Sequence, residues 1–196
     1  MDQDFITRFI YESNAIENSS LSLDDTKELL ENKKEATTWE EKAVMNQKEA
    51  IDYLEENKKE INNGMIIHLG EIINHNIKEI KGYRKVPVMI QNATITPSSP
   101  EQIPSQMSEA LYQYEKSTLP VEEKVAMYHI LFENIHPLED GNGRVGRLIM
   151  NYQLQKENKK PIIISKENRE EYFQAIENHD INALATLIRH LQENDK

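Results

Sequence analysis

The stretch from Glu133 to Asn151 constrains the fold most, because it stops one helical pattern and starts another within a few residues. Upstream, Val121, Val125, Tyr128, Phe132 and Ile135 recur at helical spacing until Pro137 and Gly141 end the run. Downstream, Val145, Leu148, Ile149 and Tyr152 resume it at i, i+3, i+4 and i+7. Between and just beyond them lie His136, Asp140, Asn142 flanked by Gly141 and Gly143, then Arg144 and Arg147. A polar, glycine-containing break between two amphipathic patterns predicts a helix–loop–helix whose chemistry sits in the loop.

That layout suits a polyphosphate. The first backbone N–H groups of a helix have no intrahelical partner and carry the positive end of its dipole, so they are donors waiting for an anion. Gly141 and Gly143 lack a β-carbon, so the backbone can curl into a concave nest and approach phosphate oxygens closely. Arg144 and Arg147, three apart, share a helix face and add planar forks that grip phosphate with paired bonds. Asp140 is a hard oxygen ligand of the kind Mg²⁺ takes. His136 has the one side chain whose ordinary pKa lets it accept a proton near neutral pH. Together they predict phosphoryl or nucleotidyl transfer.

A Gly-Asn-Gly turn before a helix is usually only a turn, and a surface arginine pair is usually solvated. The joint spacing is far more specific. His-Pro-Leu-Glu-Asp-Gly-Asn-Gly-Arg-Val-Gly-Arg, residues 136–147, resembles the signature of Fic-domain proteins, His-x-Phe-x-Asp/Glu-Gly-Asn-Gly-Arg-x-x-Arg. Leu138 stands where phenylalanine is commoner, and every polar member matches. Upstream, Ser13-Asn-Ala-Ile-Glu17-Asn18 resembles the family's inhibitory motif, Ser/Thr-x-x-x-Glu-Gly/Asn, in the arrangement where it precedes the core. Read alone, Glu17 is a solvent-exposed carboxylate at the end of an amphipathic helix.

The resemblance implies AMP transfer from ATP to a Tyr, Ser or Thr hydroxyl of a target protein. His136 would take the hydroxyl proton as the oxygen attacks the α-phosphorus. Asp140 would hold Mg²⁺ between the α- and β-phosphates, and Asn142 with the amides of Gly141 and Gly143 would cradle the phosphates. Arg144 would bind the leaving pyrophosphate, and Arg147 the γ-phosphate when Glu17, on the segment with Ser13, is not holding it. Tyr172 would border the adenine, and Ile90 would cover the nucleotide from a flap over residues 82–98. The same loop would also serve a relative that uses another nucleotide or phosphate ester, a nucleotide-binding regulatory module, or an enzyme that removes AMP.

The rest of the chain reads as helices. Phe5, Ile6, Phe9 and Ile10 mark a short first one over residues 4–18, and Ser22 or Asp24 caps a second over 22–34. Thr38-Trp-Glu-Glu41 is a capping box opening a third to about Lys59, with Trp39 assigned to the core or to a staple. Met65 to Ile80 reads as a fourth; His68 and His75 on it are seven apart, too far for a metal pair, and are taken as structural. Residues 82–97 are rich in β-branched side chains with a turn candidate at Asn92-Ala93, which predicts a small hairpin; in the family it is the flap along which the target protein pairs. Residues 160–165 are an apolar connector resembling a buried strand, and two closing helices follow. The expected fold is all-α, about eight helices around the signature with one small β-hairpin, in a single domain over residues 1–196.

Charge and composition limit partners. A formal net charge of −11, with basic residues dispersed, argues against nucleic acid and suits a small polyanion in a local basic pocket. There is no cysteine, no basic and apolar leader at the N-terminus, and no run near the length of about 18 apolar residues that a membrane span needs. The expectation is a cytoplasmic protein without membrane contact that uses ATP and Mg²⁺, with homo-oligomerisation left open.

Overall fold

The computed structural model describes residues 2–32, 35–89 and 96–194. Among them are nine α-helices: α1 Gln3–Ile16, α2 Leu23–Asn32, α3 Trp39–Asn57, α4 Asn63–Ile73, α5 Ile103–Lys116, α6 Val121–Ile135, α7 Asn142–Lys156, α8 Arg169–Glu177 and α9 Ile181–Asn194. The starts follow local chemistry: Asp2 and Asn62 accept the N–H groups of Phe5 and Met65, and Thr38 with Glu41 forms a complete capping box.

Helix α7 lies at the centre. Nearly every residue from Asn142 to Leu154 is buried, so this helix is enclosed on all sides rather than along one stripe. One apolar cluster joins Phe9 of α1, Ile51 of α3, Leu69 and Ile73 of α4, Phe132 of α6 and Leu148 of α7. A second joins Val125 and Ile130 of α6, Met150 and Leu154 of α7, Tyr172 of α8 and Leu184 and Ile188 of α9. Each such side chain stabilises the fold by about 1.5–3 kcal/mol relative to exposure. The two clusters grip α6 and α7 from both sides and fix the loop between them.

Three local expectations change, and one connector stays a connector. The fourth helix ends at Ile73, not Ile80, because Asn74 turns its amide back onto the Gly70 carbonyl at 2.9 Å and across to the Asp140 carbonyl at 3.1 Å. Asn76 then takes a left-handed conformation with φ 57°. Trp39 is 51% exposed, since its place in the first turn of α3 faces away from the packed side. Residues 160–165 bury Ile162, Ile163 and Ile164 and form an apolar connector without strand pairing. The hairpin shows no strand among the described residues of 82–98; residues 90–95, and with them the assignment of Ile90, lie outside the described residues.

Candidate active site

The loop after α6 begins with a backbone inversion at the candidate base. His136 caps α6 with φ 51° and ψ 61°, a left-handed conformation rare for a residue with a β-carbon and costing on the order of 1–3 kcal/mol. The surroundings enforce it. His136 N–H donates to the Phe132 carbonyl at 2.9 Å, and its own carbonyl accepts Arg84 Nε at 2.7 Å. Its ring Nδ1 lies 3.3 Å from the Glu133 carbonyl, which can only accept, so the proton sits on Nδ1 and Nε2 is left as the basic nitrogen. Burial, helped by the Arg84 charge and opposed by the bond to Glu133, holds the imidazole below its ordinary pKa, so it is neutral and able to take a proton near pH 7.

The rest of the loop is closed by side chains. Leu138 is fully buried and fits against Gly70, where an added Cβ would stand 2.9 Å from both Leu138 methyls. Asn142 clamps the loop, its Oδ1 accepting Leu138 N–H at 2.8 Å while its Nδ2 donates to the Leu138 carbonyl at 2.9 Å. Both polar atoms of its side chain bind within the loop, so the group of Asn142 that is left to face a phosphate is its backbone N–H, at the first position of α7. Gly141 has φ 78°, and a Cβ there would lie 2.9 Å from Ile73 Cγ2, so glycine is required by conformation and by space.

At the start of α7 the charges converge. Arg144 and Arg147 are 7% and 2% exposed. Asp140 stands at the rim, 47% exposed, its Oδ1 accepting Gly141 N–H at 2.6 Å and lying 3.5 Å from Arg144 Nη2. Arg147 reaches α1 instead: Nε donates to Ser13 Oγ at 3.0 Å, and Nη2 donates to the Ser13 carbonyl at 2.9 Å and to Glu17 Oε1 at 2.7 Å. The carboxylate of Glu17 is seated on the first turn of α7, where a Cβ on Gly143 would overlap its Oε1. Burial opposes ionisation of Glu17, but the charge and hydrogen bond of Arg147, with Arg144 and Arg169 farther off, outweigh it and hold the carboxyl below its ordinary pKa. The anion-seeking end of α7 therefore already faces an anion of the protein's own.

This geometry agrees with the comparisons. The Fic/DOC family model matches residues 60–154. The chain carries a Fic-family domain. Protein adenylyltransferase fic-1 of Caenorhabditis elegans is 25% identical over 96% of this chain and 39% of its own length. Protein adenylyltransferase Fic of Nematostella vectensis is 29% identical over 92% of this chain and 44% of its own length. The chain thus spans less than half of each of these relatives. Among solved structures, a Fic-domain signalling protein from Bacteroides thetaiotaomicron superposes with a TM-score of 0.82 at 23% identity, covering 97% of this chain and 82% of that one, a likeness of fold.

The structure brings together Asp140, Gly141, Gly143, Arg144 and Arg147, with His136 on the same short loop, and sets Ser13 and Glu17 of α1 against Arg147, the pairing the resemblance implied. Tyr172 is fully buried, its hydroxyl 2.7 Å from His129 Nε2. Arg84 is the residue sequence reasoning missed. It is 1% exposed, and besides His136 it donates to the carbonyls of Val86, Ile135 and Ser98, tying both ends of the 82–98 segment to the loop. A lone arginine in an apolar, β-branched stretch was the available signal. For Mg²⁺, the donor set fits an ion that arrives with a triphosphate. No three His, Cys, Asp or Glu converge among the described residues, yet one rim carboxylate plus phosphates and water is an ordinary Mg²⁺ shell, and Asp140 supplies that carboxylate.

Proposed function

We propose that this Fic domain is an autoinhibited protein adenylyltransferase that moves AMP from ATP to a Tyr, Ser or Thr hydroxyl of a target protein, with the target held along residues 82–98. The observation that carries this reading is a neutral His136 with Nε2 as acceptor on the same loop as the α7 anion seat. As the target oxygen bonds to the α-phosphorus, the bond from that phosphorus to the β-phosphate bridge breaks and pyrophosphate leaves. His136 takes the hydroxyl proton in that step. The backbone N–H groups around Gly141 and Gly143 face the phosphates, Arg144 neutralises the leaving group, and Arg147 holds the γ-phosphate. Mg²⁺, held by Asp140, would supply charge neutralisation between the phosphates.

Inhibition follows from the Glu17 carboxylate on Gly143. While it is there, Arg147 is engaged, and the γ-phosphate would have to sit beside a like charge. Like charges a few ångströms apart repel by several kcal/mol even at an effective dielectric of about 20, enough to drive ATP into an unproductive pose. The relatives named above carry the adenylyltransferase name, which supports the donor and the reaction. The test is incubation with ATP labelled at the α-phosphate and a cell lysate, with unlabelled nucleotides as competitors. Label on protein, competed best by ATP and absent with His136→Ala, supports the reading; better competition by another nucleotide assigns a different donor. A second reading, removal of AMP by a water that Glu17 orients, is favoured by the influence of the Glu17 charge on His136. Release of AMP from a modified target by wild type but not by Glu17→Gly tests it.

A further inference from the structure

Arg147 has a second carboxylate beside it that no step above uses. Glu133, on α6 three residues before His136, is 9% exposed, and its Oε1 is buried without a hydrogen-bond partner. Nη1 of Arg147 is likewise buried without a partner, although Nε and Nη2 are satisfied by Ser13 and Glu17. Both groups press on the same turn of α7: a Cβ on Gly146 would overlap Glu133 Oε1, and one on Gly143 would lie 2.9 Å from Arg147 Nη1. A buried orphan acceptor and a buried orphan donor in one cluster are each costly, and a small rearrangement that joins them removes both costs.

We propose that Glu133 is the reserve counter-ion of Arg147: it is neutral while Glu17 is docked, and it gives its proton to solvent and takes over the Arg147 charge when Glu17 leaves. Docking of Glu17 thereby takes up one proton. This rests on the reading of Glu17 as the inhibitor. Glu133 is a positioning residue, since it acts through Arg147 and touches no reacting atom.

The groups that bear on Glu133 come from four helices. Burial pushes its carboxyl up to about 8, with Arg147 of α7 pulling back and Glu17 of α1 adding to the rise. On α6 itself, His129 Nε2 lies 3.8 Å from Glu133 Oε1, but burial and the Arg147 charge push that imidazole down to about 3, so it stays neutral. Tyr172 of α8 keeps its proton, because burial and the Glu133 charge raise it more than the charge and hydrogen bonding of Arg147 lower it. His136, beyond the next turn, is held below its ordinary pKa. Removing Glu17 deletes one cause of the high Glu133 value and leaves Arg147 needing an anion, so the carboxyl pKa falls. The docked state has the higher pKa and binds the extra proton. Docking is therefore strongest below the undocked pKa and weakens as pH rises towards about 8.

The experiment measures auto-modification with α-labelled ATP for wild type and Glu17→Gly, each across a range from about pH 6 to about pH 9 and with Glu133 or Glu133→Gln, and reads the ratio, so that any effect of Glu17 on the titration of His136 is common to both backgrounds. The ratio should fall by up to about tenfold per pH unit within the window below the docked pKa. In a Glu133→Gln background, where the amide mimics the protonated acid, that fall should be lost. Difference infrared spectra supply a readout independent of turnover and of whether Glu133→Gln folds: wild type near neutral pH should show a protonated-carboxyl band that Glu17→Gly lacks. A ratio above one but constant with pH, or a pH-dependent ratio that persists in Glu133→Gln, overturns this proposal and leaves the inhibitory reading intact. A ratio of one at every pH overturns the inhibitory reading and this proposal with it.

Discussion

Two arginine–glutamate pairs in this protein have the same length and opposite meaning. Arg147 meets Glu17 at 2.7 Å, and Arg189 of α9 meets Glu123 of α6 at 2.7 Å. Arg189 is 40% exposed, so water and salt compete with its partner, and pairs of that kind contribute roughly 0–1 kcal/mol. Arg147 is 2% exposed and lies against a helix N-terminus that itself seeks an anion. Distance alone therefore does not tell a decorative pair from a working one. What separates them is desolvation of the cation and a rival for it: a phosphate can compete for Arg147, whereas nothing in the fold assigns a rival to Arg189.

If that contrast is right, substitutions at the α7 end change chemistry and those at the α6–α9 surface do not. The largest effect belongs to His136→Ala, which should lower AMP transfer by about 10²–10⁴ while ATP affinity stays within a few fold, since loss of a general base acts on the transition state. Label incorporation and nucleotide titration read the two halves of that statement. Asp140→Ala should lose about tenfold or more, and excess EDTA should silence wild type; transfer that survives EDTA would remove the metal from the account. Glu17→Asp should raise transfer only part of the way to release, because its shorter arm reaches Arg147 poorly, and a rate equal to wild type would mean that reach does not matter. The smallest effect is Arg189→Ala, expected to leave transfer unchanged and to cost at most about 1 kcal/mol in a denaturant melt. A larger loss would erase the distinction between the two pairs.

How much of this was legible in the sequence depended on range. Helical periodicity located most of the helices, because their apolar stripes are local. The end of α4 was not legible, since Asn74 stops the helix by bonding to the Asp140 carbonyl, 66 residues away. The signature showed which residue types gather at the loop, yet not that the Asn142 side chain clamps Leu138, because an asparagine beside two glycines looks the same whether its side chain grips a ligand or its own chain. Tyr172 shows a similar limit: the pattern marked it as core, but not that its hydroxyl meets His129. The Ser13–Glu17 spacing of one helical turn was visible, but its partner Arg147, 130 residues on, was named only through the family resemblance and not by any local pattern. Arg84 and Glu133 act through backbone carbonyls and burial, which leave almost no trace in a single sequence.

The central claim is that Glu17, by holding Arg147 on the first turn of α7, keeps the site silent. Its most direct test is AMP incorporation by wild type and Glu17→Gly side by side, on one target and on the protein itself, over a range of ATP and Mg²⁺ concentrations. The account predicts that Glu17→Gly is faster by about tenfold or more, since each 1.4 kcal/mol recovered is a decade in rate. Equal rates at every concentration would contradict it and return residues 13–18 to an ordinary helix end.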